Sequence, residues 1–245
     1  MTAAAFRALH HGRPAGDPLV LAGPWDAGSA RAFADAGFAA LATPSAAVAA
    51  SLGMADGDVP AVEMFAAVAR VVRAVDVPVS ADLEDGYGLP ARELVERVLE
   101  TGAVGCNLED TDRTTGRLRD PREQADRLAA VRAEAGDALF LNARIDSYLR
   151  GTSDASDASD EDARKRARLY AAAGADCVYP ILAPEGALAG IAAASGVPVN
   201  ALSAPDASAV RRLGPLGAGR ITFGKGMYVR AMAAAGEVAA GLRSA

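Results

Sequence analysis

Asp82, Glu84 and Asp85 fall within four positions of "SADLEDGYG" (80–88), and Glu109 and Asp110 close "VGCNLED" (104–110). Carboxylates this dense repel one another unless a proton, an arginine or a cation sits among them. A solvated turn is the plain alternative, because Asp, Gly and Tyr are ordinary turn residues. The only histidines, His10 and His11, lie in the first dozen residues, so histidine catalysis would need that arm to fold back over the site. Acids without His or Cys suit a hard, oxygen-preferring cation. Mg²⁺ keeps several waters and needs only one or two direct carboxylates, so Asp82 suffices as ligand while Glu84 and Glu109 hold waters. Arg144, in "LNAR" (141–144), offers a planar fork for a substrate carboxylate, or else neutralises Glu109 or Asp82 from the next strand.

The elements that would position these groups are legible as eight apolar runs. They are "PLVLAG" (18–23), "FAALAT" (38–43), "VPVSADL" (77–83), "VGCNLED" (104–110), "LFLNAR" (139–144), "CVYPIL" (177–182), "VPVNAL" (197–202) and "RITFGK" (220–225). Helical patterns separate them, several ending on a glycine before the next strand, as in "DAGFAAL", "ETGAVGC" and "AAGADCV". Continuous apolar strands alternating with helices predict a parallel sheet covered on both faces. Eight units in 245 residues predict an α/β fold: a single (β/α)₈ TIM barrel over 1–245, with 1–16 as an N-terminal arm. No Gly-x-Gly-x-x-Gly follows the first strand, which counts against a doubly wound sheet. The acidic run "GTSDASDASDED" (151–162) reads as a mobile surface loop, with a lid as the alternative.

In such barrels the chemistry sits at the carboxyl ends of the strands. Those ends carry Thr43 and Ser45; Asp82, Glu84 and Asp85; Asn107, Glu109 and Asp110; Asn142, Arg144 and Asp146; Tyr179; Asn200 and Ser203; and Lys225. Alternation puts Ser80, Asp82 and Glu84 on one face of a strand, and Asn107 and Glu109 on one face of the next. The same parity turns Cys106 outward, towards the helices. Cys106 and Cys177 therefore read as two buried thiols of a reducing cytosol, and the expected location is cytoplasmic.

A net charge of −6 and the absence of any Lys/Arg run leave no footprint for nucleic acid. No apolar run reaches membrane-spanning length, and the start lacks a signal-peptide pattern. The expected partner is a small molecule.

"SADLEDGYG" resembles the Asp-x-Asp/Glu-x-Gly-Tyr-Gly signature of the isocitrate lyase/phosphoenolpyruvate mutase superfamily. "PWDAGSARAFADAGFAALATPSAAVAASLG", "GAVGCNLEDT", "LNARIDSYLRG" and "ARLYAAAGADCVYP" follow in that family's order and spacing. The resemblance implies a metal-dependent lyase or mutase acting on a small 2-oxo or 2-hydroxy acid through a pyruvate enolate-like species. It implies Mg²⁺ (or Mn²⁺) on Asp82, with Glu84, Asp56 and Glu109 around the metal's waters. Thr43, Pro44 and Ser45 would cradle the substrate carboxylate, and Arg144 would grip it beside Tyr87. Asn200 joins the substrate-binding set, and Arg144, Glu109 and Tyr87 form the catalytic one. An eighth helix, "MYVRAMAAAGEVAAGLRSA", exchanged within a homodimer or homotetramer is a further implication.

The loop after "LED" departs from the family's branches. The isocitrate and methylisocitrate lyases carry Lys-Lys/Arg-Cys-Gly-His there, and the phosphonopyruvate branch carries Glu-Asp-Lys-x-x-x-Lys-x-Asn-Ser. This chain has "EDTDRTTGRLRDP", without Cys, His, Lys or Asn, so the expected chemistry is cysteine-independent. Two alternatives stay open: a Schiff-base aldolase using Lys225, and a non-catalytic oxyacid-binding relative.

Overall fold

The structure is a computed structural model; it describes residues 1–11, 13–14, 16–150 and 156–243, excluding the side chains of 156–158. All eight expected runs form strands, all but β5 shorter than the run: β1 Leu19–Val20, β2 Leu41–Thr43, β3 Val79–Asp82, β4 Gly105–Glu109, β5 Phe140–Ile145, β6 Cys177–Pro180, β7 Asn200–Leu202 and β8 Arg220–Thr222. They pair in parallel as a five-stranded sheet, β2-β3-β4-β5-β6, and a three-stranded sheet, β1-β8-β7. Single parallel bridges, Ala22–Leu41 and Val178–Val199, connect the two sheets on either side. The result is a TIM-barrel-like α/β fold.

Helix ends follow the glycine signals. Gly37, Gly102 and Gly174 take φ of 90°, 81° and 97°, values that a side chain would strain. The strands' outward residues Ala81, Cys106, Leu108 and Leu141 pack against Leu94, Val98, Leu128 and Val131 of the helices Ala91–Thr101 and Pro121–Ala135. Cys106 is thus a packing residue. Cys177 is buried as well, beside Phe140 in a second cluster, and both thiols are free.

That second cluster shows what the arm does. Residues Ala3–His10 form a helix whose Phe6 is fully buried among Leu19, Leu21, Ala40 and Phe140. Arg7 latches it with a 2.8 Å pair to Asp176 and a bond to the Asp137 carbonyl. His10 stacks on Phe140 with ring centroids 4.2 Å apart and shares a hydrogen bond with the Phe6 carbonyl through Nδ1. Burial, aided by Arg220, pushes the imidazole down to about 3, so it stays neutral. The arm closes the amino-terminal end of the strands, away from the acidic rim. Arg220 fills the space above it, fully buried, with its guanidinium 5.9 Å from the Phe6 ring centre.

One expectation is corrected. The acidic run 151–162 is not wholly a loop: residues 151–155 lie outside the described residues, but Ser156–Ala172 is a helix. Its first turns are held by partners that sequence periodicity does not reveal, Tyr148 on Asp160 (2.7 Å) and both Ser147 and Arg166 on Asp162 (2.7 Å each). The loop after β4 contains an unanticipated antiparallel ribbon, Thr111–Asp112 against Arg117–Leu118. The last helix, Gly226–Arg243, has no buried residue, and Val229, Met232, Val238 and Leu242 are exposed.

Candidate active site

The strand β3 delivers Asp82 to the rim, and the following turn is bent by its own sequence. Glu84 and Tyr87 adopt left-handed φ of 53° and 58° around Gly86 at 86°. Such conformations cost on the order of 1–3 kcal/mol for non-glycine residues and are retained where surrounding contacts over-determine them. Here the contacts are Tyr87 Oη donating to Glu84 (3.3 Å), the Tyr87 amide donating to Asp85 (3.0 Å), and an ion pair between Glu84 and Arg113. The Arg113 guanidinium also lies over the Tyr87 ring, 5.3 Å from its centre. Asp85 turns away from the mouth to pair with Arg119 at 3.0 Å.

Asp82 is buried. Ser45 donates to its Oδ2 through Oγ (2.9 Å) and through the backbone amide (3.3 Å). Its own amide donates to Thr43 Oγ1 at 3.3 Å. The other carboxylate oxygen, Oδ1, is buried with no hydrogen-bond partner. The Thr43-Pro44-Ser45 segment therefore supports Asp82 directly.

Arg144 comes from β5 and Glu109 from β4, opposite one another in the sheet register. They form a 2.9 Å ion pair, while Arg144 Nε donates to Asp146 at 2.7 Å. Asp146 is fully buried; it accepts from the Thr111 hydroxyl at 2.5 Å, and its amide donates to Asp110 at 2.9 Å. Asp110 is held in turn by Tyr170 (2.7 Å) and Arg166 (3.1 Å). Arg166 and Tyr170 were not marked by the sequence, because a buried arginine inside "EDARKRARLY" looks like any other charge on a solvated helix face.

These groups surround a cavity of about 330 Å³ whose walls include Ser45, Asp56, Glu84, Glu109, Arg113 and Arg144. A small void of about 20 Å³ adjoins the same rim, lined by Thr43, Pro44, Asp82 and Tyr179. A larger space of about 530 Å³ lies at the amino-terminal end of the strands beside Arg13, Asp17 and Pro198, where no set of acids or hydroxyls gathers. The acids and arginines gather at the carboxyl-end mouth despite its smaller size. Burial pushes Glu109 up to about 8, with Arg144 pulling the other way, and Asp56 is raised by partial desolvation and then by the Asp82 charge.

The structure thus brings Asp56, Glu84, Glu109, Arg144 and Ser45 to one cavity, with Thr43, Pro44 and Asp82 on the adjoining void. Asn200 lines neither space: it opens β7, is fully buried, and donates at 2.9 Å to Thr222, which lines the void. Lys225 is exposed on the turn after β8 and lines neither space. A Schiff-base lysine needs a desolvated pocket, and this position supplies none. Among the described residues, no three His, Cys, Asp or Glu side chains form a closed set of metal ligands. A hard cation that keeps most of its waters does not need one.

Comparison with known proteins places the chain. Residues 6–243 match the family model for phosphoenolpyruvate phosphomutase. A Burkholderia cenocepacia structure provisionally assigned as a phosphonomutase superposes with a TM-score of 0.88 and 40% identity, covering 97% of this chain and 98% of that one. An uncharacterized Mycobacterium tuberculosis protein is 33% identical over 96% of this chain and 87% of its own length. The 2-methylisocitrate lyase of Bacillus subtilis is 30% identical over 67% of this chain but only 55% of that enzyme. The chain belongs to the phosphoenolpyruvate phosphomutase family, in the isocitrate lyase/PEP mutase superfamily of enzymes.

Proposed function

We propose that this protein is a Mg²⁺-dependent lyase or mutase that breaks or moves a C–C or P–C bond in a small 2-oxo or 2-hydroxy carboxylic acid. The observation that carries the reading is the orphaned Oδ1 of Asp82. A buried carboxylate oxygen without a donor is costly, and a cation at the rim supplies what the protein withholds. The donor set fits a hard ion: Asp82 would hold Mg²⁺ directly, and Glu84, Asp56 and Glu109 would hold its waters. Mn²⁺, with the same oxygen preference, would substitute. When bound, Mg²⁺ supplies Lewis-acid stabilisation of negative charge developing on the substrate.

The chain's own residues do the rest. Arg144 is oriented by Asp146 through Nε and Nη2, which leaves Nη1 to the mouth; a substrate carboxylate there competes with Glu109 for it. Ser45 fixes the carboxylate of Asp82, and Thr43 holds its backbone amide. Tyr87 fixes Glu84. Neither cysteine reaches the mouth, so the reaction is cysteine-independent on this reading.

The two bridges between the sheets support one closed (β/α)₈ barrel and a single domain over 1–245. The unburied helix Gly226–Arg243 supports its exchange with another copy in a homodimer or homotetramer. Among the described residues no helix is long and apolar enough to cross a membrane, and the two free buried thiols support a cytoplasmic setting. The test is turnover of oxaloacetate, phosphonopyruvate, 2-methylisocitrate and alkylated malates with Mg²⁺ and coupled pyruvate detection. Metal-dependent release from one of them is expected; no turnover of any, with or without Mg²⁺, would favour an oxyacid-binding relative.

A further inference from the structure

Behind the rim, between the helices Ala91–Thr101 and Pro121–Ala135, lies a second cavity of about 320 Å³. Its walls are apolar: Leu89, Pro90, Leu94, Leu108, Leu128 and Val131. Three polar side chains interrupt them: Asp85, whose carboxylate is already paired with Arg119 at 3.0 Å, and Gln124 and Arg127, which share one face of one helix. Gln124 and Arg127 are three positions apart, with Leu128 and Val131 continuing the same stripe.

Gln124 is 3% exposed, and its amide Nε2 donates to the Glu109 carbonyl at 3.2 Å. That bond fixes the amide's orientation, because the flipped form would set two acceptors against each other. Its Oε1 is then a buried acceptor without a partner, lining the cavity. Arg127 donates to the Asp85 carbonyl at 3.0 Å but has no ion-pair partner among the described residues. A cation and an unmet acceptor in an apolar chamber of this size define a ligand rather than a packing gap.

We infer that this cavity is a binding site for a small amphipathic acid, independent of the chemistry at the mouth. The carboxylate pairs with Arg127, a hydroxyl or amino group donates to Gln124 Oε1, and a branched apolar body of a few carbons lies against Leu94, Leu108 and Leu128. Because Gln124 and Arg127 also hold the carbonyls of Glu109 and Asp85, the site sits directly behind the acidic rim.

The test is isothermal titration calorimetry on the full chain in EDTA, with 2-hydroxy-4-methylpentanoate and 4-methylpentanoate as probes. The hydroxy acid is expected to bind saturably, and the plain acid about tenfold more weakly because Oε1 stays unmet. Arg127→Met should weaken the hydroxy acid by about tenfold or more, since a charge-assisted bond is lost. Ala130→Trp, at the exposed rim of the cavity, should block both probes without touching the core. In EDTA, Arg144→Ala should leave in place the part of the binding of both probes that Arg127→Met removes. The inference is overturned if neither probe saturates in the millimolar range, if Ala130→Trp binds like the parent, or if Arg144→Ala loses binding that Arg127→Met retains. Equal affinity for the two acids would remove Gln124 from the site.

Discussion

Mg²⁺ should raise the thermal stability of the protein, and Asp82→Asn should erase most of that rise. Five carboxylates, Asp56, Asp58, Asp82, Glu84 and Glu109, meet three arginines, Arg113, Arg144 and Arg150, around the mouth and its adjoining void. The excess of negative charge is what a divalent ion would relieve. At a free Mg²⁺ concentration about 100 times the dissociation constant, binding to the folded state alone contributes about 2.7 kcal/mol. For a chain of this length each kcal/mol moves the midpoint by about 2–4 °C, so the expected rise is about 5–11 °C.

Asparagine keeps the shape of Asp82 and both Ser45 bonds to its oxygen, but removes the charge on the orphaned side. The metal-free variant should melt at or above the parent's temperature, because a crowded carboxylate is gone. Its Mg²⁺-induced rise should shrink by at least about 1.4 kcal/mol, a tenfold loss of affinity. The pH dependence has a definite sign. Glu109 titrates near 8 in the folded state, above its ordinary 4.5, so the fold holds a proton that the unfolded chain has released between those values. That contribution is fully present below about 4.5 and is lost as pH rises through about 8, so metal-free stability falls across the window. The Mg²⁺-induced rise should grow from pH 6.5 to 8.5 as the proton stops competing. Differential scanning calorimetry reads all three quantities. No rise at 10 mM Mg²⁺ and pH 8.5, or an undiminished rise in Asp82→Asn, would refute the metal assignment.

Arg144→Lys should lower kcat/KM at least about tenfold on whichever oxyacid turns over, because an ammonium cannot reproduce a fork shared with Asp146. Cys106→Ser should keep that turnover while losing about 1–3 kcal/mol in denaturant titrations, the cost of a hydroxyl among apolar neighbours; loss of activity in a folded variant would restore a catalytic thiol. Phe6→Ala should cost about 3–5 kcal/mol, since the fully buried ring packs against His10 and Phe140. Light scattering should give a dimer or tetramer at micromolar concentration, and a monomer would end the exchange proposed for the helix Gly226–Arg243.

The strands were legible because a parallel sheet covered on both faces needs unbroken apolar runs, and the acids were legible because nothing in packing explains three of them in four positions. What stayed hidden depended on partners far away in sequence. "AAAFRALH" carries no strong signal of its own and becomes a helix because Phe6 has the open end of the strands to fill. "SDASDED" looks unstructured until Tyr148, Ser147 and Arg166 take its aspartates. Asn200 lies two residues short of the end of β7 and meets the void only through Thr222, a relation between two strands that the run "VPVNAL" does not reveal.

The altered loop after β4 can now be understood in physical terms. Two of its three arginines are committed: Arg113 pairs with Glu84, and Arg119 pairs with Asp85 and, at 2.6 Å, with Asp112, while Arg117 is exposed. Arg166 secures the end of the ribbon through the Arg119 carbonyl at 3.0 Å. The loop is therefore pinned to the rim by charge, and a guanidinium held in that way is no proton donor at neutral pH. The hydroxyls at the mouth are committed too, Ser45 to Asp82, Thr111 to Asp146 and Tyr87 to Glu84. Under the proposed chemistry, the proton taken up by an enolate-like product then comes from water admitted to the open mouth or from Glu109, a carboxyl there whose pKa burial raises. Bound Mg²⁺ would supply Lewis-acid stabilisation at such a site, held by Asp82 directly and by Glu84, Asp56 and Glu109 through its waters.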